Sequence, residues 1–246
     1  MKAPMMKFVS SVFLAFSLFA AGAAAQPAPK QSVWTFDRLD RIGGYPATVE
    51  GQPKLIDTPG GKALEFHGAP DAVFVENHPL AGWSSFTFEA VFRPDGGPEQ
   101  QRWFHLASID PKTGLAALPT GTSDPNARFT FEIRVAGDQW YLDAFTHGDT
   151  YNQGLMFKEK LHPLGKWYTV AQTYDGKTYR SYVNGVLEGE IALAYTPQAP
   201  GRASIGTRMN RVDYFHGAVL EARFTPRALA PEQFLQLPPA MRSGAP

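Results

Sequence analysis

The chain has 246 residues, with 23 Lys and Arg against 23 Asp and Glu, and it contains no cysteine. Nothing in that balance suggests a nucleic-acid partner, and the missing thiols exclude a disulfide scaffold and thiolate metal chemistry. A hydrophobic core must hold the protein together, and the length suffices for one large domain.

The N-terminus reads as an export signal. Lys2 and Lys7 precede an almost wholly apolar run over residues 8–21, and Ala23-Ala24-Ala25 presents an A-x-A cleavage site. Residues 1–25 are predicted to be a signal peptide whose removal leaves Gln26, so the chain is expected to be periplasmic or secreted, in a bacterium. The apolar run is too short for a comfortable membrane span, and no later segment is apolar enough for one. Residues 26–32 read as a linker and 238–246 as a disordered tail, with one domain over 33–237 between them.

Within that domain, alternation with period two dominates. Phe86, Phe88, Ala90 and Phe92 fall on one face of a strand while Thr87, Glu89, Val91 and Arg93 fall on the other. Residues 94–98, rich in Pro and Gly, read as a loop. The alternation returns with Phe129, Phe131, Ile133 and Val135 against Thr130, Glu132 and Arg134, and again around Tyr141 to Phe145. Asp175-Gly176 and Asn184-Gly185 supply the positive φ angles of hairpin turns, so a meander of three strands is predicted near 167–174, 179–183 and 186–193. Pro231, followed by Glu232 and Gln233, opens a short helix that caps the domain. The expected fold is all-β, an antiparallel β-sandwich with a short C-terminal helix.

Three segments carry a family resemblance. The first joins Ala63-Leu64-Glu65-Phe66-His67-Gly68 and Asp71-Ala72-Val73 to the strand Phe86 to Pro94. The second joins Gly165-Lys166-Trp167 to Thr173-Tyr174-Asp175-Gly176 and Tyr182-Val183-Asn184-Gly185. The third is Ser204-Ile205-Gly206, then Phe215-His216-Gly217 through Phe224, closing on Arg227-Ala228-Leu229. In order and spacing the set resembles the laminin-G-like, concanavalin A-like jelly-roll domains of bacterial secreted proteins. The resemblance implies the sandwich and leaves the function open among sugar binding, glycoside hydrolysis, polysaccharide elimination and adhesion. Many relatives hold a structural calcium, which here implies Asp37, Asp71 and Glu221 as ligands; His67 and Leu220, however, stand where the family pattern has aspartates.

The leading expectation is a carbohydrate-recognition or adhesive domain, because sugar rings stack on aromatic side chains and offer hydroxyls to polar ones. Trp103, Trp140, Tyr151, Tyr214 and Phe215 are expected near loops as the aromatic platform, with Arg134, His147, Asp149, Asn152 and Arg208 as polar partners; Trp34, Trp167 and Phe88 are expected in the core. The rival is a polysaccharide-active enzyme. A hydrolase would use two carboxylates among Glu89, Glu132 and Asp143, and a lyase would use His147 and Tyr151 as base and acid. A third reading is a protein-interaction module. The six histidines show no ligand spacing, and no nucleotide-binding fingerprint or phosphate loop is present, so no nucleotide cofactor is expected and calcium is the one metal considered.

Overall fold

The computed structural model describes residues 30–116 and 126–242. The predicted signal peptide lies outside the described residues. The strands are β1 (Ser32–Thr35), β2 (Arg41–Ile42), β3 (Tyr45–Glu50), β4 (Lys54–Thr58), β5 (Gly61–His67), β6 (Ala72–Val75), β7 (Phe86–Pro94), β8 (Gln100–Ser108), β9 (Arg128–Ala136) and β10 (Gln139–Gly148). They continue with β11 (Tyr151–Met156), β12 (His162–Pro163), β13 (Tyr168–Tyr174), β14 (Thr178–Val183), β15 (Val186–Ala192), β16 (Gly201–Ile205) and β17 (His216–Thr225).

Two antiparallel sheets form a sandwich. The first runs β15-β14-β13-β7-β17-β5-β4, with β1 also on β17; the second runs β11-β10-β9-β8-β16-β6-β3-β2, with β12 also on β10. The alternation read from the sequence fixes which side chains meet between them. Phe86, Phe88 and Phe92 of β7 face Phe129, Phe131 and Ile133 of β9, all fully buried or nearly so. Phe88 and Phe131 stack with ring centroids 4.0 Å apart and tie the sheets at the centre. Burying such rings removes large apolar areas from water, and their offset contacts add to that gain.

The β13–β14–β15 meander forms as expected. Val183 pairs with Val186 across the two-residue turn Asn184-Gly185, whose φ angles are 49° and 78°. Asn184 tolerates this conformation and also uses its side chain, because its Oδ1 accepts the Thr169 amide at 3.0 Å.

The structure corrects several expectations. The helix at Pro231 is a single 3-10 turn, Pro231–Gln233, and the segment expected to be disordered from Pro238 carries a four-residue helix, α1 (Pro239–Arg242). This C-terminal segment lies across the outer face of the first sheet: Phe234 packs on Tyr182, and Met241 joins Trp167, Leu220 and Val91. Trp167 is thus half-buried on that outer face, with the Arg93 guanidinium 5.3 Å from its ring, and is not a residue of the central core. Leu220, which replaces a family aspartate, serves the same apolar contact.

Candidate functional site

The outer face of the second sheet holds a groove of about 530 Å³, lined by residues from three neighbouring strands, β11 and one loop. On β9, the residues between the core-facing phenylalanines point outward, which places Arg128, Thr130, Glu132 and Arg134 in a row. Pairing with β10 sets Asp143 opposite Glu132 and Tyr141 opposite Arg134, while Phe145 lies opposite Thr130. Arg102 arrives from β8 and Arg208 from the loop after β16; Gly154 and Met156 complete the wall from β11.

One guanidinium organises the carboxylates. Arg134 donates from Nε and Nη2 to Asp143 Oδ2, both at 2.7 Å, and Nη2 also lies 3.5 Å from Glu132 Oε2. Arg102 Nε stands 3.1 Å from the same Glu132 oxygen and its Nη1 contacts Asp213. Glu132 is only 4% exposed. Burial therefore pushes it up to about 7, Arg102 pulls it down, and Asp143 pushes it up again. The apolar side of the groove is Phe145 with Met156; the Arg128 guanidinium sits 5.2 Å above the Phe145 ring. Nearby, His105 is fully buried and accepts the Met209 amide on Nδ1 at 3.2 Å. Burial holds its ionisation well below the usual histidine range, and Arg208 and Arg128 lower it further, so it stays neutral.

Of the residues predicted from sequence, Glu132, Arg134, Asp143 and Arg208 come together in this groove. His147 and Asn152 pair with each other on β10 and β11, on the same face but outside the groove lining. Asp149 occupies the exposed two-residue turn between those strands and borders a separate groove at the end of the sandwich, together with Tyr151 and Gln198. Tyr214 is half-buried against Phe74, Ala107 and Met209.

Other candidates are placed elsewhere by the fold. Trp103, Trp140 and Phe215, expected at loops, are at most 1% exposed and belong to the central core. Trp103 is turned inward by a register shift between Arg102 and Phe104, so that two successive side chains of β8 face the core. Tyr151 is also a core residue; it pairs with Gly148, packs its ring where a Gly148 side chain would stand, and accepts Gln198 Nε2 at 2.9 Å. Burial pushes its hydroxyl up to about 12. Because His147 and Tyr151 point to opposite faces of one sheet, they cannot serve as a base and acid pair on one substrate. Glu89 lies on the other sheet, not in an exposed patch: it is fully buried, bidentate with Arg223 at 2.6 and 2.7 Å, and covered by the C-terminal segment, whose Leu235 amide it accepts at 2.6 Å.

The calcium set does not fit. Asp71 is buried with both oxygens engaged by protein donors: Oδ1 accepts the Gln52 amide at 2.7 Å, and Oδ2 accepts the His67 amide at 3.0 Å and meets His67 Nδ1 at 2.9 Å. His67, in place of a family aspartate, thus supplies donors where a cation would need oxygens. Asp37 is exposed beside Thr35, and Glu221 is half-buried and raised chiefly by burial. Among the described residues no three His, Cys, Asp or Glu side chains are grouped to hold a metal ion, whereas calcium takes about 6–8 oxygen ligands.

Arg102, Arg128, Phe145 and Met156 were not singled out from the sequence. Arg128 extends the outward series Thr130, Glu132 and Arg134 by one step, so the same alternation marks it; Arg102 carries no such signal, because the bulge beside it interrupts the period.

The chain belongs to the laminin G type of the concanavalin A-like lectin/glucanases superfamily, whose family profile matches residues 67–234. No curated protein matches the sequence. Among solved structures, domain 4 of the extracellular GH43 arabinanase AbnA from Geobacillus stearothermophilus, in complex with arabinotriose, is similar with a TM-score of 0.60 and 16% identity, covering 83% of this chain and 96% of that domain. The Trypanosoma rangeli sialidase in complex with 2,3-difluorosialic acid matches with a TM-score of 0.56 and 16% identity over 85% of this chain, which spans 33% of the sialidase. At these identities the likeness establishes the fold. Among the described residues no helix is long and apolar enough to cross a membrane.

Proposed function

We propose that this protein is an exported carbohydrate-recognition domain that binds glycans in the groove on the outer face of the second sheet. The observation that carries this reading is the pairing, in one groove, of fork-shaped guanidinium donors on Arg102, Arg128, Arg134 and Arg208 with the apolar wall of Phe145 and Met156. Sugars need both: donors and acceptors for hydroxyls, and an apolar surface for ring C–H faces. A similar fold in another protein, the arabinanase domain in complex with arabinotriose, lends support. Export rests on the A-x-A site before Gln26. Titration calorimetry against a glycan panel tests the reading. Phe145→Ala should weaken binding by about 1–3 kcal/mol while circular dichroism remains native. Binding that is indifferent to Phe145 and Arg134 sinks it.

One observation favours a second reading, retaining glycoside hydrolysis. Glu132 and Asp143 both reach Arg134 Nη2, at 3.5 and 2.7 Å. This holds their oxygens closer than the roughly 6.5–9.5 Å that an inverting enzyme needs, and compatible with the roughly 5–5.5 Å of a retaining one. Glu132 would protonate the glycosidic oxygen as Asp143 attacks the anomeric carbon, releasing the alcohol; water would then cleave the glycosyl ester as Glu132 takes back its proton. New reducing ends that vanish in Glu132→Gln would support it, and intact polysaccharide with wild-type protein would dismiss it.

A further inference from the structure

The groove is richer in positive than in negative charge. Four guanidinium groups line it against the two carboxylates of Glu132 and Asp143. Arginine stays charged at all relevant pH values and offers a rigid fork that matches planar or tetrahedral oxyanions in a bidentate manner. Next to those forks the floor is open. Gly154, opposite Phe145, has no side chain, and a Cβ there would meet only a backbone oxygen at 3.9 Å. A sugar ring against Phe145 and Met156 would hold a ring substituent over the arginines.

We propose that the groove takes an anionic glycan, a sugar chain bearing carboxylate or sulfate groups, and that the Glu132 carboxylate competes with the ligand's oxyanion for Arg102 and Arg134. This rests on the reading of the groove as a glycan site. Glu132 is placed for such competition: its Oε2 stands between Arg102 Nε at 3.1 Å and Arg134 Nη2 at 3.5 Å, the latter shared with Asp143 at 2.7 Å. The charged groups that face it are Arg102 from β8, Arg134 from its own strand, Asp143 from β10 and Asp213 from the loop before β17. Arg128 and Arg208 complete the lining, and His105 is neutral throughout. Since burial lifts Glu132 to about 7, the group changes charge close to neutrality. An anion that binds where Glu132 is protonated takes up a proton, so its affinity rises as pH falls.

The experiment is calorimetric titration at pH 5.5 and 8.0 with three probes: polygalacturonate for carboxylate, dextran sulfate for sulfate, and unsubstituted arabinan as the neutral chain. The expected result is that at least one anionic probe binds about tenfold tighter at pH 5.5, the ratio of protonated Glu132 at the two values. Glu132→Gln should bind it equally tightly at both, and arabinan should show no pH dependence. Arg134→Gln should lose at least tenfold. Arg180→Gln, which removes a half-buried guanidinium paired with Asp175 and Glu190 on the other sheet, should lose nothing. Equal losses in the two arginine variants would mean diffuse surface attraction and would overturn the proposal. So would wild-type affinity that is flat with pH. Binding of arabinan alone would overturn the anionic assignment while leaving the glycan groove standing; failure of all three probes with a neutral glycan panel also silent would remove both.

Discussion

Glu132 and Asp143 stand directly opposite each other on β9 and β10 and share one partner, Arg134, whose Nη2 is 3.5 Å from the first and 2.7 Å from the second. Asp143 holds the closer contacts, and Glu132 is left with burial as its dominant influence. A buried carboxyl raised from its ordinary 4.5 to about 7 favours the neutral form in the folded protein.

The sign of the pH effect follows. Between the unfolded value near 4.5 and the folded value near 7, the native state binds more protons than the unfolded one, so stability falls as pH rises through that window. The shift corresponds to about 3 kcal/mol at most, lost by pH 8. Glu132→Gln, neutral at every pH and of the same shape, should remove this slope and make the protein more stable than wild type by about 1–3 kcal/mol at pH 8. Urea titrations at pH 5 and 8 check it; a variant less stable at pH 8 would show that the ion pairs with Arg102 and Arg134 outweigh the desolvation.

The sandwich was legible in the sequence because its strands alternate cleanly. Phe129 to Val135 reads as a half-buried strand, and the same reading put Glu132 and Arg134 on the outer face where the structure has them. Three features escaped for physical reasons. A bulge shifts the period by one residue, and this turns Trp103 inward. The two-residue turn at Asp149-Thr150 fixes a register in which His147 and Tyr151 take opposite faces, which spacing alone does not reveal. Glu89 obeys its alternation and does leave the inter-sheet core, yet it is covered by a segment 146 residues further along the chain. Such docking leaves no local mark.

The hairpin turn at Asn184-Gly185 supports a backbone test. Gly185 has φ of 78°, a region that β-branched residues reach only with strain, so Gly185→Val should cost about 1–3 kcal/mol. No neighbouring atom lies within 4 Å of the added Cβ, so crowding makes no contribution. Thermal melts of Gly185→Val and Gly185→Asn separate the cause: the asparagine, which tolerates positive φ, should restore most of the loss.

Trp140 tests the distinction between core and platform. It is fully buried, with rings of Phe92 and Tyr168 edge-on at 5.2 and 5.1 Å. Trp140→Ala should therefore destabilise by about 3–5 kcal/mol through lost contacts and the cavity left behind. Any loss of glycan binding should track the unfolded fraction. A variant with native stability and weakened binding would return Trp140 to the ligand site.

The pair Glu89 and Arg223 separates a structural carboxylate from a catalytic one. Glu89 accepts Arg223 Nε and Nη2 and the Leu235 amide, and Arg223 Nη2 also donates to the Gln233 carbonyl at 2.7 Å. The two side chains thus clamp the C-terminal segment onto the first sheet, on the face opposite the groove. Removing one partner strands the other charge in a poorly solvated place, so Glu89→Ala should cost about 3–5 kcal/mol. Replacing both with apolar residues of similar size, Glu89→Leu with Arg223→Met, should recover much of that, because the desolvation of the pair disappears together with its attraction. Hydrogen exchange supplies the local readout: the Leu235 amide should exchange faster in Glu89→Ala, while amides of β9 and β10 change only as global stability does. Glycan binding at the groove should remain in every variant that stays folded. If Glu89→Gln instead abolishes a hydrolytic activity while Leu235 protection and the melting temperature hold, Glu89 acts on substrate, and the clamp is not its role.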